Sequence, residues 1–382
     1  YNIVEKTMHV NEKSRKKILP VASGKGGVGK TLFTANLGYR LSAEGRRVIV
    51  IDLDLGGSNL HTFLGLKNTN RGIVHYLKDK KLKLYDVIYS TSFSNLYYIP
   101  GDVLYDMNIE LTGAQQKKLL ADIEELDFDF ILLDLPTGST KYSSAIFNIS
   151  NSGFVLTTPR ITSLLNTYLF IKRVLVELVL DSLDESKIKR KKVEQFLNSR
   201  KPGDDFYMEN LIREIRKEDK KKASEIQKLV RGYKPIVIIN LAKTPEDFKS
   251  AQMVKELITN SLMVDPICMG LLYYDEIVSR NLQSTKFNII DDENSLFARE
   301  IERIAVRMVH SPDFPEMPLE DEYRRDTFEL TRIESELDYE ELPGRPEEEG
   351  SQISRLLSII NSQSQQIREL QRTIRMLTLD KD

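Results

Sequence analysis

The chain has 382 residues, of which 41% are hydrophobic, and a formal net charge of -2. This length predicts two or three domains, and the balanced charge gives no overall bias toward nucleic acid or membrane. The single cysteine, Cys268, excludes a disulfide framework and the several thiolates of an iron–sulfur cluster, and it favours a reducing cytoplasm. The four histidines lack a metal-binding spacing, and the sequence predicts no transmembrane helix.

A glycine-rich turn between an apolar run and a helical pattern is the clearest motif, Ser23-Gly-Lys-Gly-Gly-Val-Gly-Lys-Thr31. Strand, loop and helix in this order are the context of a P-loop, whose backbone N–H groups and helix N-terminus bind phosphate. Lys30 is predicted to reach the β- and γ-phosphates of ATP, and the Thr31 hydroxyl to bind Mg²⁺. The predicted nucleotide-binding residues of the loop are Gly24, Lys25, Gly26, Gly27, Val28, Gly29, Lys30 and Thr31.

A second lysine, Lys25, directly follows the first glycine of the loop. By this feature the chain resembles the MinD/ParA family, the deviant Walker A ATPases. The resemblance implies an α/β fold, with a doubly wound, mostly parallel sheet flanked by helices. It also implies a nucleotide-dependent homodimer in which Lys25 reaches the partner's phosphates, a role similar to that of an arginine finger. The alternative for Lys25 is an ordinary solvated loop lysine.

Two carboxylates, Asp52 and Asp54, follow the apolar run 48–51, at the edge where open α/β sheets bind their ligands. The stretch Asp52-Leu-Asp-Leu-Gly-Gly-Ser-Asn59 resembles the MinD and FlhG/FleN-like branch of the family. This resemblance implies that Asp54 orients or activates the attacking water, that Asp52 lies near the metal, and that Asn59 belongs to the first switch loop. Helix-capping turn residues are the alternative.

A second apolar run ends at Asp134, in the Walker B pattern whose carboxylate binds Mg²⁺ directly or through water. The following Asp-x-Pro-x-Gly resembles the second switch of the family, which assigns Pro136 and Gly138 to that switch. Asn240 ends a further buried strand, where related P-loop ATPases use an asparagine to read the adenine edge.

The ATPase domain is predicted at residues 18–310, after a polar, basic arm at 1–17. Residues 181–234 carry sixteen Lys or Arg and eleven Asp or Glu, which predicts an insertion of two charged helices joined at 201–203. A solvated face is the simple interpretation, and a docking surface for protein, DNA or anionic lipid is the alternative. Fifteen acidic and four basic residues with five prolines predict a loosely attached linker at 311–350.

The last stretch, residues 351–382, has a heptad repeat that favours a two-stranded parallel coiled coil over residues 353–377. A membrane-binding amphipathic helix, as the resemblance implies, and a helix docked on its own domain are the alternatives. The repeat positions are Ile353, Ile360, Ile367 and Ile374, with Leu356, Gln363, Leu370 and Leu377.

The combined interpretation is a Mg²⁺-dependent, slowly hydrolysing ATPase that works as a dimerisation switch in a bacterial cell. The resemblance implies flagellar number or placement, or division-site positioning, together with a protein activator or cargo partner. A cytoplasmic location is expected, with peripheral contact to the inner face of the plasma membrane as an option. The alternatives are a ParA-like partitioning ATPase, although DNA contact is less expected, and an adaptor that works through its coiled coil.

Overall fold

The computed structural model describes residues 16–67, 71–101, 111–183, 187–199, 205–282, 290–292, 294–310 and 321–340. Within these ranges the strands are β1 Lys17–Ser23, β2 Val48–Asp52, β3 Tyr89–Ser90, β4 Leu96–Ile99, β5 Phe130–Asp134, β6 Phe154–Thr157, β7 Ile236–Ala242 and β8 Ile267–Tyr273. The α-helices are α1 Lys30–Ala43, α2 Leu60–Phe63, α3 Ile73–Lys78, α4 Gly113–Glu125, α5 Lys141–Phe147, α6 Ile161–Ser182, α7 Lys187–Asn198, α8 Met208–Glu218, α9 Lys220–Arg231, α10 Lys249–Leu262, α11 Glu276–Leu282, α12 Leu296–His310 and α13 Asp321–Glu340.

The eight strands of the described ranges form one sheet in the order β3-β4-β2-β5-β1-β6-β7-β8. All neighbouring strands are parallel except β3 and β4. Helices cover both faces of the sheet, because strands such as β2 and β5 carry apolar side chains on both faces and every one of their residues is buried. Residues of α1 and α12 pack on one face, and residues of α4, α6 and α10 on the other. The predicted doubly wound α/β fold is confirmed.

The central strands bring the predicted site residues to one edge of the sheet. Asp52 pairs with Asp134 in the register of β2 and β5, and Asp134 pairs with Val21 on β1. The P-loop begins two residues after Val21, so the predicted phosphate-binding turn starts at the same edge of the sheet as both carboxylates. The carboxyl edge of the sheet therefore assembles the candidate site, as expected for an open parallel sheet.

The insertion differs from the prediction of two solvated helices. Three helices, α7, α8 and α9, are described there, and the side chain of Asp219 caps α9 by accepting the Lys222 N–H at 2.9 Å. Helices α8 and α9 are amphipathic, because apolar residues recur at helical spacing between the charges. Their buried residues, which join the core beside α6 and α10, are Met208, Leu211, Ile212, Ile215, Ala223, Ile226 and Val230.

The prediction of a loosely attached linker at 311–350 is wrong for residues 321–340, which form α13. Phe328, Thr331 and Ser335 recur at helical spacing and are buried against the edge of the sheet. Part of the acidic charge is paired, since Asp338 accepts from Arg303 at 2.9 Å and Glu334 pairs with Arg307. The acidic composition thus reflects ion pairing as well as solvation. Residues 311–320 and 341–350 of the predicted linker lie outside the described ranges.

Replacing Phe328 with alanine is expected to reduce the free energy of unfolding by about 3 kcal/mol, since the phenyl ring is 5% exposed and packs on Phe248. Leu330→Ala is the matched control, because Leu330 lies on the same helix and is 40% exposed. Its expected change is within about 0.5 kcal/mol. Urea unfolding monitored by circular dichroism measures both. Equal, small effects would contradict the docking of α13.

Two predictions at the ends of the chain lie wholly or largely outside the described ranges. The first fifteen residues of the basic arm are outside, and β1 starts at Lys17, within one residue of the predicted domain start. The heptad segment 353–377 is also outside, so its coiled coil stays a prediction. Among the helices that are described, none combines the length and apolar character needed to cross a bilayer.

Candidate nucleotide-binding site

A cavity of about 670 Å³ opens at the carboxyl edge of the sheet. The P-loop and the start of α1 form its floor, and the loop after β2 forms one wall with Asp54 and Asn59. The ends of β7 and β8 and the loop after β8 form the opposite wall, with Tyr273, Tyr274 and Asp275. The volume suits a ligand of nucleotide size, since small-molecule sites span roughly 300–1,000 Å³.

Glycine is required at several positions of the P-loop for different reasons. Gly27 and Gly29 have φ of +76° and +87°, a left-handed conformation that L side chains rarely adopt. A Cβ on Gly24 would overlap the backbone of Asn166 on α6, so the loop approaches that helix closely. The loop then turns directly into α1 at Lys30, so strand, loop and helix follow one another in the order that the sequence predicts.

Lys30 is buried and pairs with Asp134 at 2.7 Å between Nζ and Oδ1. The hydroxyl of Thr34, one turn further along α1, donates to the same carboxylate oxygen at 3.2 Å. The structure thus brings together the two residues that the P-loop and Walker B motifs contribute. Sequence reasoning missed Thr34, although its position four residues after Lys30 on the helix was a usable signal.

Asp52 is fully buried and holds the loop that follows it. Its carboxylate accepts hydrogen bonds from the Ser58 hydroxyl at 2.5 Å and from the Leu60 and Asp54 N–H groups at 3.2 and 3.1 Å. Burial, followed by the nearby charge of Asp134, raises the pKa of Asp52 to about 7. Asp52 therefore anchors the predicted first switch loop to the sheet. Sequence reasoning missed Ser58 in this role.

Asp54 lines the cavity together with Thr31 and Lys30, as the water-orienting assignment requires. Partial burial raises the pKa of Asp54 above its ordinary value, and the Lys30 ammonium opposes this shift. Asn59 also lines the cavity, and its amide donates to the Gly57 carbonyl at 2.8 Å. Asn59 precedes α2, but its side chain makes no capping hydrogen bond to that helix. The helix-capping alternative therefore does not account for Asn59.

The predicted second switch lies directly against the P-loop strand. The Gly138 N–H donates to the Ser23 carbonyl at 3.0 Å, and Gly138 has a φ of +90°, which accounts for a glycine there. Thr137, between Pro136 and Gly138, lines the cavity. Its side chain lies 4.0 Å from where a Cβ on Gly26 would stand. Both predicted switch segments thus line the same cavity as the P-loop.

Lys25 differs in placement from Lys30. Its side chain is exposed, and its ammonium lies 3.5 Å from the Thr162 hydroxyl near the start of α6. Lys30 lines the cavity, whereas Lys25 is not among its lining residues and its ammonium lies beside α6. This orientation makes Lys25 available to a molecule that docks against the P-loop.

Asn240 lies at the base of the opposite wall and braces the P-loop. Its amide donates to the Val28 carbonyl at 2.8 Å, and its oxygen accepts the Leu241 N–H at 2.8 Å. A Cβ on residue 29 would overlap the Asn240 amide, so the lack of a side chain at Gly29 permits this close approach. One amide hydrogen and one oxygen lone pair are used in these bonds, and the adenine-reading role stays a prediction.

Comparison with known proteins shows similarity to one family of P-loop proteins. Residues 16–177 match the family model described as an AAA domain. The flagellum site-determining protein YlxH of Helicobacter pylori is 33% identical over 173 residues, which cover 45% of this chain and 58% of YlxH. The septum site-determining protein MinD of the same organism is 33% identical over 149 residues, or 38% and 54% of the two chains. This part of the chain is similar to the P-loop domains of MinD/ParA proteins.

The MinD/ParA relatives align over only part of their length, since the chain spans little more than half of each. The solved MinD of Pyrococcus horikoshii, complexed with Mg-ADP, superimposes with a TM-score of 0.50 at 22% identity. The superposition covers 80% of this chain and all of that chain, which supports the fold alone. Members of the MinD/ParA family are P-loop ATPases.

The residues at the cavity fit a magnesium ion that binds together with a nucleotide. Mg²⁺ usually keeps several waters and takes one or two protein ligands together with substrate phosphates. Thr31 faces the cavity at the start of α1, and the carboxylate of Asp134 lies within hydrogen-bond distance of Lys30. Within the described residues no group of three acidic, cysteine or histidine side chains could cage a metal. These observations suit a metal that binds together with nucleotide phosphates.

Sequence reasoning missed the wall made by Leu241 and the loop after β8. Leu241 has a φ of +60°, a strained conformation for a leucine, and its side chain is exposed beside the cavity. Tyr274 is also exposed there, and Asp275 caps the following helices by accepting from the Ile277 N–H and the Ser295 hydroxyl. No local sequence pattern marks Leu241 as a cavity residue. The sequence did predict that a strand ends near Tyr273 and Tyr274, which precede Asp275.

Proposed function

We propose that this protein is a Mg²⁺-dependent ATPase that acts as a nucleotide-dependent dimerisation switch. The observation that carries the proposal is the different placement of two lysines in the same loop. Lys30 lies buried in the cavity floor against Asp134, whereas Lys25 is exposed and extends toward α6. An exposed cation that does not line its own cavity can serve the cavity of a second subunit, as an arginine finger supplied in trans does.

The chain's own residues account for binding and hydrolysis as follows. The P-loop N–H groups and Lys30 would bind the phosphates, and Thr31 and Asp134 would hold Mg²⁺, which would supply neutralisation of phosphate charge. Asp54, on the cavity wall, accepts a hydrogen bond from the attacking water and orients it. Asp52 keeps the Asp54 loop attached to the sheet through Ser58 and Leu60.

An apolar stripe beside Lys25 supports the dimer. Ile161, Leu165 and Leu169 follow one another at i, i+4 and i+8 on α6, so they lie along one side of the helix. Their side chains are 67%, 49% and 48% exposed. Thr162, the neighbour of Ile161, is the residue that Lys25 contacts. A subunit that receives Lys25 would cover this stripe, and burying it favours association.

Light scattering with ADP and with Mg-ATP tests the switch, in an Asp54→Ala background that slows hydrolysis. We expect a monomer with ADP and a dimer with ATP, both for the full chain and for a chain that ends after Glu340. A chain that remains monomeric with ATP would contradict the proposal. If only the full chain is dimeric, and is so with either nucleotide, residues 353–377 determine the oligomeric state. The proposed role of Lys25 in the dimer is then rejected.

Leu165→Asp is expected to weaken the ATP-dependent dimer at least tenfold, because the substitution places a charge within the apolar stripe. Leu229→Asp is the matched control, since Leu229 is a 43% exposed leucine of α9. Sedimentation equilibrium with Mg-ATP measures both dissociation constants. Equal affinity in the two variants would place the dimer face elsewhere.

The cellular role that we propose is the placement of flagella or of the division site. Likeness to YlxH and MinD, whose names state these two roles, supports it. We further propose a cytoplasmic protein that works with an activating protein or a cargo partner. Residues 353–377 would provide either a second dimer contact or a peripheral contact with the membrane. Deletion of the gene, with flagella and septa counted by microscopy, distinguishes the two roles.

A further inference from the structure

Tyr273 connects the cavity to α13. It is the last residue of β8 and lines the cavity, yet its side chain is buried. The Tyr273 hydroxyl donates to the Ser335 carbonyl of α13 at 2.6 Å. Its ring stacks on Tyr339 of the same helix, with centroids 5.6 Å apart and planes at 22°. Tyr273 therefore lies at the candidate ligand site, and its side chain contacts a helix outside the sheet.

The docking of α13 relies strongly on polar contacts. Arg303 on α12 bridges Glu300 at 2.6 Å and Asp338 at 2.9 Å, and Arg307 pairs with Glu334. Glu300 is buried under this network, against Gly270 of β8. Segments attached by a small apolar contact and by ion pairs open locally at a lower free energy than core elements. Such a helix can respond to a modest change at its contact surface.

The carboxyl end of β8 also holds the cavity wall that follows it. The Tyr274 N–H donates to the Ala242 carbonyl at 2.7 Å, which ties β8 to the end of β7. Asp275, two residues after Tyr273, caps α11 and the start of α12 through Ile277 and Ser295. A shift of Tyr273 would therefore move the wall formed by Tyr274 and Asp275.

We propose that α13 sets the affinity of the cavity for an adenine nucleotide by holding Tyr273 in place. By linkage, nucleotide binding then docks α13 more firmly, since coupling between two sites is reciprocal. Tyr273 is a positioning residue in this account, and α13 reports the state of the cavity to the residues that follow Glu340. The inference rests on the proposed function only in taking a nucleotide as the ligand.

The test uses the full chain and a fluorescent ADP analogue as the probe. Tyr273→Phe removes the hydroxyl that donates a hydrogen bond to the Ser335 carbonyl, and Tyr339→Ala removes from α13 the ring that stacks on Tyr273. Both variants should bind the probe at least 5-fold more weakly, the lower end of typical coupling between sites. Glu336→Gln is the matched control, because Glu336 pairs with Arg332 on α13 rather than with β8 or α12. Its affinity should equal that of the wild type.

Hydrogen exchange of the α13 amides supplies a readout that a purely structural role would not move. Exchange over residues 328–340 should slow when ADP binds the wild type, and this slowing should be lost in Tyr273→Phe. If the wild type binds ADP while α13 exchange and the affinity of Tyr273→Phe are unchanged, the inference is overturned and the proposed function stands. If the wild type binds no nucleotide, both are overturned. Should Tyr339→Ala not fold, Tyr273→Phe alone decides.

Discussion

Lys30→Met is expected to abolish nucleotide binding and to destabilise the fold. The ammonium of Lys30 is buried against Asp134, and its positive charge also lowers the pKa of the nearby Asp52. Removing one partner of a buried ion pair leaves an uncompensated charge, which costs about 3–5 kcal/mol in the free energy of unfolding. Isothermal titration with ADP and urea unfolding measure the two effects.

A double variant separates binding from stability. Lys30→Met with Asp134→Asn removes both charges of the pair, so most of the lost stability should return. Nucleotide binding should stay absent, because no cation is left in the cavity floor. Lys25→Met is the matched control on the same loop and should change the unfolding free energy by less than about 0.5 kcal/mol, since Lys25 is exposed. Retained ADP binding in Lys30→Met would contradict the assignment of the loop.

Asp54→Asn is expected to reduce the ATP hydrolysis rate by about 10²–10⁴-fold while ATP binding is retained, because a positioned proton acceptor contributes a factor of this size. The asparagine keeps the shape of the cavity wall and loses the acceptor charge. Single-turnover hydrolysis of radiolabelled ATP measures the rate. Asp127→Asn, at an exposed carboxylate that pairs with Arg47, is the control and should hydrolyse ATP at the wild-type rate.

The pH dependence provides a second check on Asp54. Burial raises the pKa of this carboxyl above its ordinary value of 3.8, and only the ionised form can accept the proton. The hydrolysis rate should therefore fall as pH decreases, and the fall should begin at a higher pH than for a solvated aspartate. A wild-type rate in Asp54→Asn would show that another group orients the water.

Local patterns in the sequence predicted most of the fold and the floor of the site. The glycines, lysines and flanking apolar runs of the P-loop act through neighbours in the chain, so their spacing alone defines strand, loop and helix. Asp52 and Asp134 were placed correctly because parallel strands end at one edge of the sheet. These are features that short-range chemistry determines.

The features that could not be predicted depend on contacts between distant residues. Asn240 braces Val28 across a separation of 212 residues, and no local pattern records that bond. The acidic residues of α13 find their partners on α12, so composition alone suggested a solvated linker. In the insertion, Asp219 follows the last residue of α8 and caps the start of α9. The insertion therefore has three helices where the sequence predicted two.

Mixing two inactive variants tests the trans role of Lys25 most directly. In a mixed dimer of Lys25→Ala and Asp54→Asn subunits, the nucleotide held by the Lys25→Ala subunit meets its own Asp54 and the partner's intact lysine. If Lys25 acts in trans, an equimolar mixture should regain about a quarter of the wild-type ATPase rate, because half of the dimers are mixed and each has one complete site. If the mixture remains as inactive as its components, Lys25 does not act across the interface.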